Sequence, residues 1–157
     1  MNFPARVGFE IFRNDLHRSI FRSEERTMGQ KPRILIIDDS REIVAALKAF
    51  FERKYEILTA HNGFDGLQAF EDAQNSIDLV ITDLVMHEFS GVGVINILRK
   101  KYPGIPIIAM TGWRGDIESR GAKIDADQLF EKPFEISDLD KSISELLTNR
   151  CHSPLPG

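Results

Sequence analysis

The feature of this sequence that most restricts its fold is a repeated change of hydrophobic period from Lys31 onward. Short β-branched apolar runs alternate with longer segments whose apolar residues recur every three or four positions. The short runs are typical of buried strands and the longer ones of amphipathic helices. This alternation predicts βα units, which build a parallel sheet covered by helices. The strands are predicted at Arg33–Ile37, Glu56–Ala60, Asp78–Thr82, Ile105–Met110 and Gln128–Glu131.

Helices are predicted between these strands and after the last one. Ser40 is a favourable N-cap residue for the first helix. Tyr102-Pro103 ends the third, because proline restrains the residue before it from helical geometry. Two glycines weaken the segment between Gly112 and Asp125, where a short, mobile fourth helix is expected. The apolar residues assigned to the other helices are Ile43, Leu47, Phe50, Phe51, Phe64, Leu67, Phe70, Ile95, Leu98, Leu139, Ile143, Leu146 and Leu147.

The predicted fold class is α/β, with five strands in one doubly wound parallel sheet. Crossovers between parallel strands are right-handed, which places helices on both faces of the sheet. The flavodoxin-like strand order 2-1-3-4-5 fits such a chain. With 157 residues the chain is long enough for one domain with a hydrophobic core and too short for two ordinary ones.

Residues 1–30 do not show this alternation of strands and helices. They are predicted to form an N-terminal extension, followed by a domain at 31–148 and a tail at 149–157. Phe9, Phe12, Leu16 and Ile20 are spaced for one helical face, so a partner-docking or dimerising amphipathic helix is one interpretation. The alternatives are a flexible arm and an upstream start codon, with the true start at Met28.

Composition argues against several functional classes. The apolar runs are far shorter than the roughly 20 residues that span a bilayer, and charged residues such as Arg6 and Glu10 interrupt any apolar core of a secretory signal. A cytoplasmic protein without membrane contact is therefore expected. The net charge of −4 argues weakly against nucleic-acid binding, which usually needs a concentrated basic face. Cys151 is the single cysteine and cannot form an internal disulfide.

Acidic residues lie at the ends of two predicted strands. Asp38 and Asp39 follow the first strand, and Asp83 follows the third. Because ligands bind an open α/β sheet at the carboxyl ends of its strands, the three carboxylates are expected to share one cleft if these strands are neighbours. Like charges this close raise pKa values or require a cation, and Mg²⁺ prefers oxygen ligands. The alternative is that Asp38 and Asp39 merely cap a helix.

Two further strand ends carry groups that bind anions. Thr111 follows the fourth strand with a hydroxyl, and Lys132 follows the fifth with an ammonium. Phosphoryl transfer depends mainly on positioning and charge neutralisation, so a carboxylate nucleophile, Mg²⁺, a hydroxyl and a lysine are sufficient for it. Either residue alone is ordinarily a solvated or capping residue. The hypothesis depends on their combination at separate strand ends.

Over about residues 32–148 the chain resembles the receiver domains of two-component response regulators. Three motifs carry the resemblance: Ile-Leu-Ile-Ile-Asp-Asp-Ser at 34–40, Asp83-Leu84-Val85-Met86 followed by Ser90-Gly91, and Lys132-Pro133-Phe134. The resemblance implies that Asp83 accepts a phosphoryl group from a sensor histidine kinase or a phosphotransfer protein. It further implies a Mg²⁺ site at Asp38, Asp39, Asp83 and the backbone carbonyl of Val85, contacts to the phosphoryl group from Thr111 and Lys132, and a cis Lys132–Pro133 bond.

The sequence departs from the family pattern beside the acceptor and at the switch. His87 stands where proline typically follows Met86, so the loop beside Asp83 is expected to be less rigid. Leu129 occupies the position of the usual aromatic switch residue, three before the lysine, and Phe130 comes next. The candidate switch residues are therefore Thr111, Leu129 and Phe130, and the switch is expected to differ from the usual pair of a threonine and an aromatic residue.

An acidic site of this kind is compatible with three functions. The first is a phosphoacceptor regulator rather than an enzyme, whose phosphorylation reorganises the surface of the fourth helix, the fifth strand and the last helix. Because only one helix and a tail follow Lys132, its signal is expected to reach a downstream protein target, and a homodimer is left open. The second is a Mg²⁺-dependent phosphatase or phosphotransferase acting through an aspartyl-phosphate. The sequence argues against it, because it has neither an Asp-x-Asp pair around the nucleophile, which would supply an acid/base, nor a cap insertion that would enclose a substrate. The third, an unphosphorylated pseudo-receiver, conflicts with the complete set of site residues.

Overall fold

The computed structural model of the chain describes residues 29–73, 76–112, 115, 121 and 123–152. The chain divides into two units, residues 1–30 and 31–157. The proposed N-terminal helix and most of the expected fourth helix lie outside the described residues. No helix in the described part is long and apolar enough to cross a membrane. The described elements are β1 (Arg33–Ile37), α1 (Arg41–Phe51), β2 (Glu56–Ala60), α2 (Gly63–Asp72), β3 (Leu79–Asp83), α3 (Gly91–Lys101), β4 (Ile107–Thr111), β5 (Gln128–Glu131) and α4 (Ile136–His152).

The strands form one five-stranded parallel sheet in the order β2-β1-β3-β4-β5, which confirms the predicted order. β3 and β4 each end one residue later than predicted, because Asp83 still pairs with Met110 and Thr111 with Glu131. β4 also begins later, after Pro106, which has no N–H to donate. Asp83 and Thr111 are therefore the last residues of their strands.

The sheet is covered on both faces, so its central strands are buried throughout. Successive residues of β1 point to opposite faces: Leu35 and Ile37 pack towards α2 and α3, and Ile34 and Ile36 towards α1 and α4. Burial on both faces accounts for the almost continuous apolar runs in the sequence. The outer strands β2 and β5 are only partly buried.

Side-chain caps begin three helices. The hydroxyl of Ser40 accepts a hydrogen bond from the amide of Ile43 and confirms the predicted start of α1, while Asn62 and Ser90 cap α2 and α3 in the same way. These caps satisfy amides that have no partner within the helix. They also fix where each helix leaves the carboxyl edge of the sheet.

Two of the phenylalanines that were assigned to the predicted helices are exposed. Phe50 is 46% exposed because Phe51, next to it on α1, fills the core, and consecutive helical residues point in different directions. Phe64 is 58% exposed in the first turn of α2. The last helix, α4, runs to His152 and thus continues into the segment assigned to the tail.

Arg99 connects the end of α3 to the segments that lead into β4 and β5. Its side chain is 15% exposed and donates hydrogen bonds to the carbonyls of Ile105 and Asp125 and to the Asp127 carboxylate, at 2.6, 2.8 and 2.7 Å. The same Asp127 oxygen accepts from the Ile107 amide at 2.7 Å. The planar guanidinium thus satisfies several acceptors at once.

We expect Arg99→Ala to lower the free energy of unfolding by about 2 to 3 kcal/mol, because it leaves carbonyls and a carboxylate without their charged donor. Urea denaturation measures the effect. Arg99→Lys should recover only a minor part of the lost stability, since one ammonium cannot reach all the acceptors that the planar guanidinium binds. The control is Lys100→Ala, at an exposed position on the same helix. Equal stabilities of Arg99→Ala and Lys100→Ala would contradict the assignment.

Candidate functional site

Three carboxylates meet at the carboxyl edge of the sheet. Asp38 and Asp39 follow β1, and Asp83 ends β3. Because β1 and β3 are paired neighbours, carboxylate oxygens of the three residues lie within 4.8 Å of one another. The sequence predicted this meeting on the condition that the two strands are adjacent, and they are.

Asp38 is fully buried and both of its carboxylate oxygens have partners. One oxygen accepts from the backbone N–H of Ser40 at 2.9 Å, and the other from the Lys132 ammonium at 2.7 Å. The first contact supports the turn into α1, where Ser40 itself is the N-cap residue. Asp38 therefore combines a structural role at the helix start with a place in the acidic cluster.

Lys132 brings one positive charge into the cluster from the end of β5. Its backbone N–H donates to the carbonyl of Thr111 at 2.7 Å, and its side chain is 19% exposed. The ammonium lies 2.7 Å from Asp38 and 3.6 Å from Asp83, so it is closer to Asp38 than to the expected acceptor. The Lys132–Pro133 bond is cis, as the resemblance implied.

Asp83 is 5% exposed, and its surroundings disfavour its charged form. The pKa of its carboxyl is raised from 3.8 to about 6, chiefly because burial removes the charge from water. Lys132 opposes this rise and Asp38 adds to it. A backbone hydrogen bond with Val85 lowers the pKa by a smaller amount, and Asp39 raises it slightly. At neutral pH the group is mostly ionised, but at an energetic cost to the folded state.

Two histidines border the cluster, and neither was assigned to the site from the sequence. His87 is almost fully exposed, and its Nδ1 lies 2.8 Å from a carboxylate oxygen of Asp39. His61 follows β2 at the same edge of the sheet, with its Nδ1 3.3 Å from the carbonyl of Asp38. The sequence signal that could have assigned His61 to the site is its position directly after a predicted strand. His87 gave no such signal, because its contact depends on the path of the loop.

The candidate switch residues divide between the two faces of the sheet. Leu129 packs with the core beneath α2 and α3, and Phe130 with the core beneath α1 and α4, where its ring contacts Phe134. Thr111 is fully buried and comes two residues after Ala109 in β4, so it lies on the same face as Leu129. Phe130 thus points away from the face that Thr111 and Leu129 share.

The donors in the cluster suit a hard divalent cation. Every side-chain donor within it is a carboxylate oxygen, and among the described residues three carboxylates face the single ammonium of Lys132. Val85, two residues after Asp83, is 63% exposed and lies in the loop next to them. Oxygen donors with space for water are the preference of Mg²⁺, whereas Zn²⁺ is usually held by nitrogen and sulfur. The residues present therefore fit a Mg²⁺ site.

Comparisons with known proteins agree with this architecture. A model of the response regulator receiver domain matches residues 34–144. Among curated proteins, the transcriptional regulatory protein CpxR of Escherichia coli (strain K12) is 31% identical over 122 residues, covering 76% of this chain and 50% of CpxR. The sensor kinase CckA of Brucella abortus (strain 2308) is 29% identical over 120 residues, covering 76% of this chain and 13% of CckA. The chain thus spans half or less of the length of these relatives.

Solved structures give the same result. A response regulator receiver domain protein from Clostridium thermocellum superposes with a TM-score of 0.69 at 32% identity, covering 76% of this chain and 96% of that one. The response regulator TrrA from Thermotoga maritima, solved in complex with Mg²⁺ and BeF, gives a TM-score of 0.65 at 34% identity, covering 73% and 98% of the two chains.

Proposed function

Since this chain belongs to the response regulator receiver domain family of two-component systems, we propose that it accepts a phosphoryl group on Asp83 and passes the signal to another protein. The observation that carries the proposal is the meeting of three carboxylates and one lysine where neighbouring parallel strands end. Asp83 is the nucleophile, because it ends the central strand β3 within reach of both Asp38 and Lys132.

In the transfer, a carboxylate oxygen of Asp83 forms a bond to phosphorus as the bond to the donor nitrogen of a phosphohistidine breaks. The leaving imidazole keeps the bonding electrons and takes a proton. Lys132 offsets the negative charge that gathers around Asp83, and the Thr111 hydroxyl donates to a phosphoryl oxygen. Ionised Asp83 is the reactive form, and with a pKa of about 6 it predominates at neutral pH.

Mg²⁺ would be held by Asp38, Asp39, Asp83 and the backbone carbonyl of Val85. Bound there, it supplies positive charge to the transferred group and removes the repulsion between carboxylates. Two facts support this assignment: the oxygen-only donor set, and the Mg²⁺ complex of TrrA, which shares 34% of its sequence with this chain. Receiver domains typically bind Mg²⁺ at an acidic pocket of this kind.

The proposed donor is a sensor histidine kinase or a phosphotransfer protein, in keeping with the family. The proposed output is a phosphorylation-dependent contact with a downstream protein, in which Thr111 and Leu129 share the switch on one face of the sheet. Phe130 packs on the other face, so it is not the aromatic partner of Thr111. The family assignment does not favour the alternative of a phosphatase or phosphotransferase.

The test is incubation with acetyl phosphate and Mg²⁺, followed by mass spectrometry of the intact protein. We expect an acid-stable, base-labile addition of one phosphoryl group, which Asp83→Asn abolishes and chelation of Mg²⁺ prevents. Asp72→Asn, at an exposed carboxylate on α2, is the matched control and should be modified like the wild type. Absence of the addition in the wild type, or an equal addition in Asp83→Asn, would refute the assignment of Asp83.

A further inference from the structure

The loop from Leu84 to Ser90 connects the proposed phosphoacceptor to α3. Leu84 and Met86 are buried, which anchors the first half of the loop. In the second half, His87 and Glu88 are exposed, and Phe89 is the remaining residue with a large apolar side chain. The loop carries the Val85 carbonyl and holds His87 against Asp39. Its path therefore decides where two of the groups around the acidic cluster lie.

Phe89 rests on the backbone of two glycines in neighbouring helices. A Cβ atom added to Gly63, the first residue of α2, would lie 2.5 Å from Phe89 Cδ1. One added to Gly93, in the first turn of α3, would lie 2.8 Å from Phe89 Cζ. Ordinary contacts of a Cβ atom begin near 3.4 Å, so the ring approaches both helices more closely than other residues would allow. The Phe64 ring covers it, with the ring centroids 4.7 Å apart.

The contact of Phe89 with Gly63 and Gly93, called the Phe89 seat below, restrains the loop where its own backbone does not. Histidine at position 87 leaves the backbone φ angle free, whereas a proline would fix it near −65°. The second half of the loop is instead anchored by Phe89, pressed against α2 and α3. Displacing the ring would displace the loop and with it the groups that border Asp83.

We propose that Phe89 is a positioning residue for the acidic site. Seated on Gly63 and Gly93, it holds the loop so that the Val85 carbonyl and the His87–Asp39 contact keep their places beside Asp83. The inference rests on the proposed function, since it assigns Phe89 an effect on Mg²⁺ binding and through it on phosphorylation. The side chain of Phe89 has no polar atom with which to bind the cation or the phosphoryl group.

Gly93→Ala is the most selective perturbation of this seat. The three atoms nearest to the added methyl group all belong to the Phe89 ring, and alanine is otherwise favoured over glycine inside a helix. We expect this variant to fold, to bind Mg²⁺ about fivefold more weakly, and to be phosphorylated more slowly at limiting Mg²⁺. Saturating Mg²⁺ should remove most of the difference in rate, which a loss of folded protein would not allow.

A second substitution tests whether the ring transmits the effect. Leucine lacks the outer ring atoms that the new methyl group meets, so the double variant Gly93→Ala/Phe89→Leu should recover Mg²⁺ affinity to within about twofold of the wild type. Gly104→Ala is the matched control, since a Cβ atom there has nothing within 4 Å. It should leave both readouts unchanged.

The experiment measures Mg²⁺ affinity by titration of backbone amide NMR signals and phosphorylation rate with acetyl phosphate over a range of Mg²⁺ concentrations. Wild-type affinity in Gly93→Ala, or no recovery in the double variant, would overturn the role of Phe89 while wild-type phosphorylation continues to support the proposed function. A wild type that binds Mg²⁺ but takes no phosphoryl group would refute the proposed function instead.

Discussion

Replacing Gly91 with alanine is expected to lower the free energy of unfolding by about 3 kcal/mol. Gly91 is the first residue of α3, and a Cβ atom there would lie 1.8 Å from the backbone oxygen of Asp83 and 2.9 Å from the Cα atom of Leu84. Both contacts are with backbone, so no side-chain rotation can relieve them. Either α3 or the end of β3 must move, and the hydrogen bond from the Gly91 amide to the Leu84 carbonyl is strained by either movement.

The same substitution should slow phosphorylation of Asp83 by about 100-fold, since a displacement on the order of 1 Å at a reacting group has effects of this size. Urea denaturation and the acetyl phosphate assay measure the two effects, with rates corrected for the folded fraction. Gly104→Ala is the control, because the added methyl group has open space around it. Wild-type stability and a wild-type phosphorylation rate in Gly91→Ala would contradict this prediction, since they would show that α3 can shift away from β3 without loss of stability.

Replacing Asp83 with asparagine should remove phosphorylation and, at the same time, stabilise the metal-free protein. The unfolded chain releases the Asp83 proton near pH 3.8 and the folded protein near pH 6, so between these values the folded state holds more protons. The contribution of Asp83 to the stability of the wild type therefore falls as the pH rises through this window, by roughly 2 to 3 kcal/mol in total. Asparagine carries no charge and avoids this loss.

We accordingly expect Asp83→Asn to be more stable than the wild type by about 2 kcal/mol at pH 8 in the presence of a chelator, and nearly equal to it at pH 4. Urea denaturation at the two pH values provides the comparison. Adding Mg²⁺ should stabilise the wild type more than the variant, because a ligand that binds only the folded state raises its stability. The prediction fails if the variant is no more stable than the wild type at pH 8.

The parts of the fold that could be predicted from sequence are those set by local pattern. The βα alternation predicts a parallel sheet, for which the order found here is a common one. The polar residues at strand ends predict that Asp38, Asp39 and Asp83 meet, on the condition that β1 and β3 are neighbours. The ends of β3 and β4 lie one residue beyond the predicted ones, because pairing between neighbouring strands, such as that of Asp83 with Met110, decides where each strand ends. Hydrophobic pattern alone does not contain that information.

Contacts that depend on how individual side chains pack between distant segments were beyond prediction. The seat of Phe89 joins residues of two helices and a loop, and nothing local marks Gly63 and Gly93 as its partners. The preference of Lys132 for Asp38 over Asp83 depends on distances that only the folded chain fixes. The exposure of Phe50 was missed because Phe51 occupies the direction of the core.

The position of Lys132 has a mechanical consequence. Its ammonium lies between two anions, nearer to one than to the other. The residue follows β5, one of the two edge strands of the described sheet, which is hydrogen-bonded to β4. Added negative charge on Asp83 would pull the ammonium across a short distance. That pull acts on an edge strand, so a small electrostatic displacement at the centre of the sheet would be transmitted to its edge.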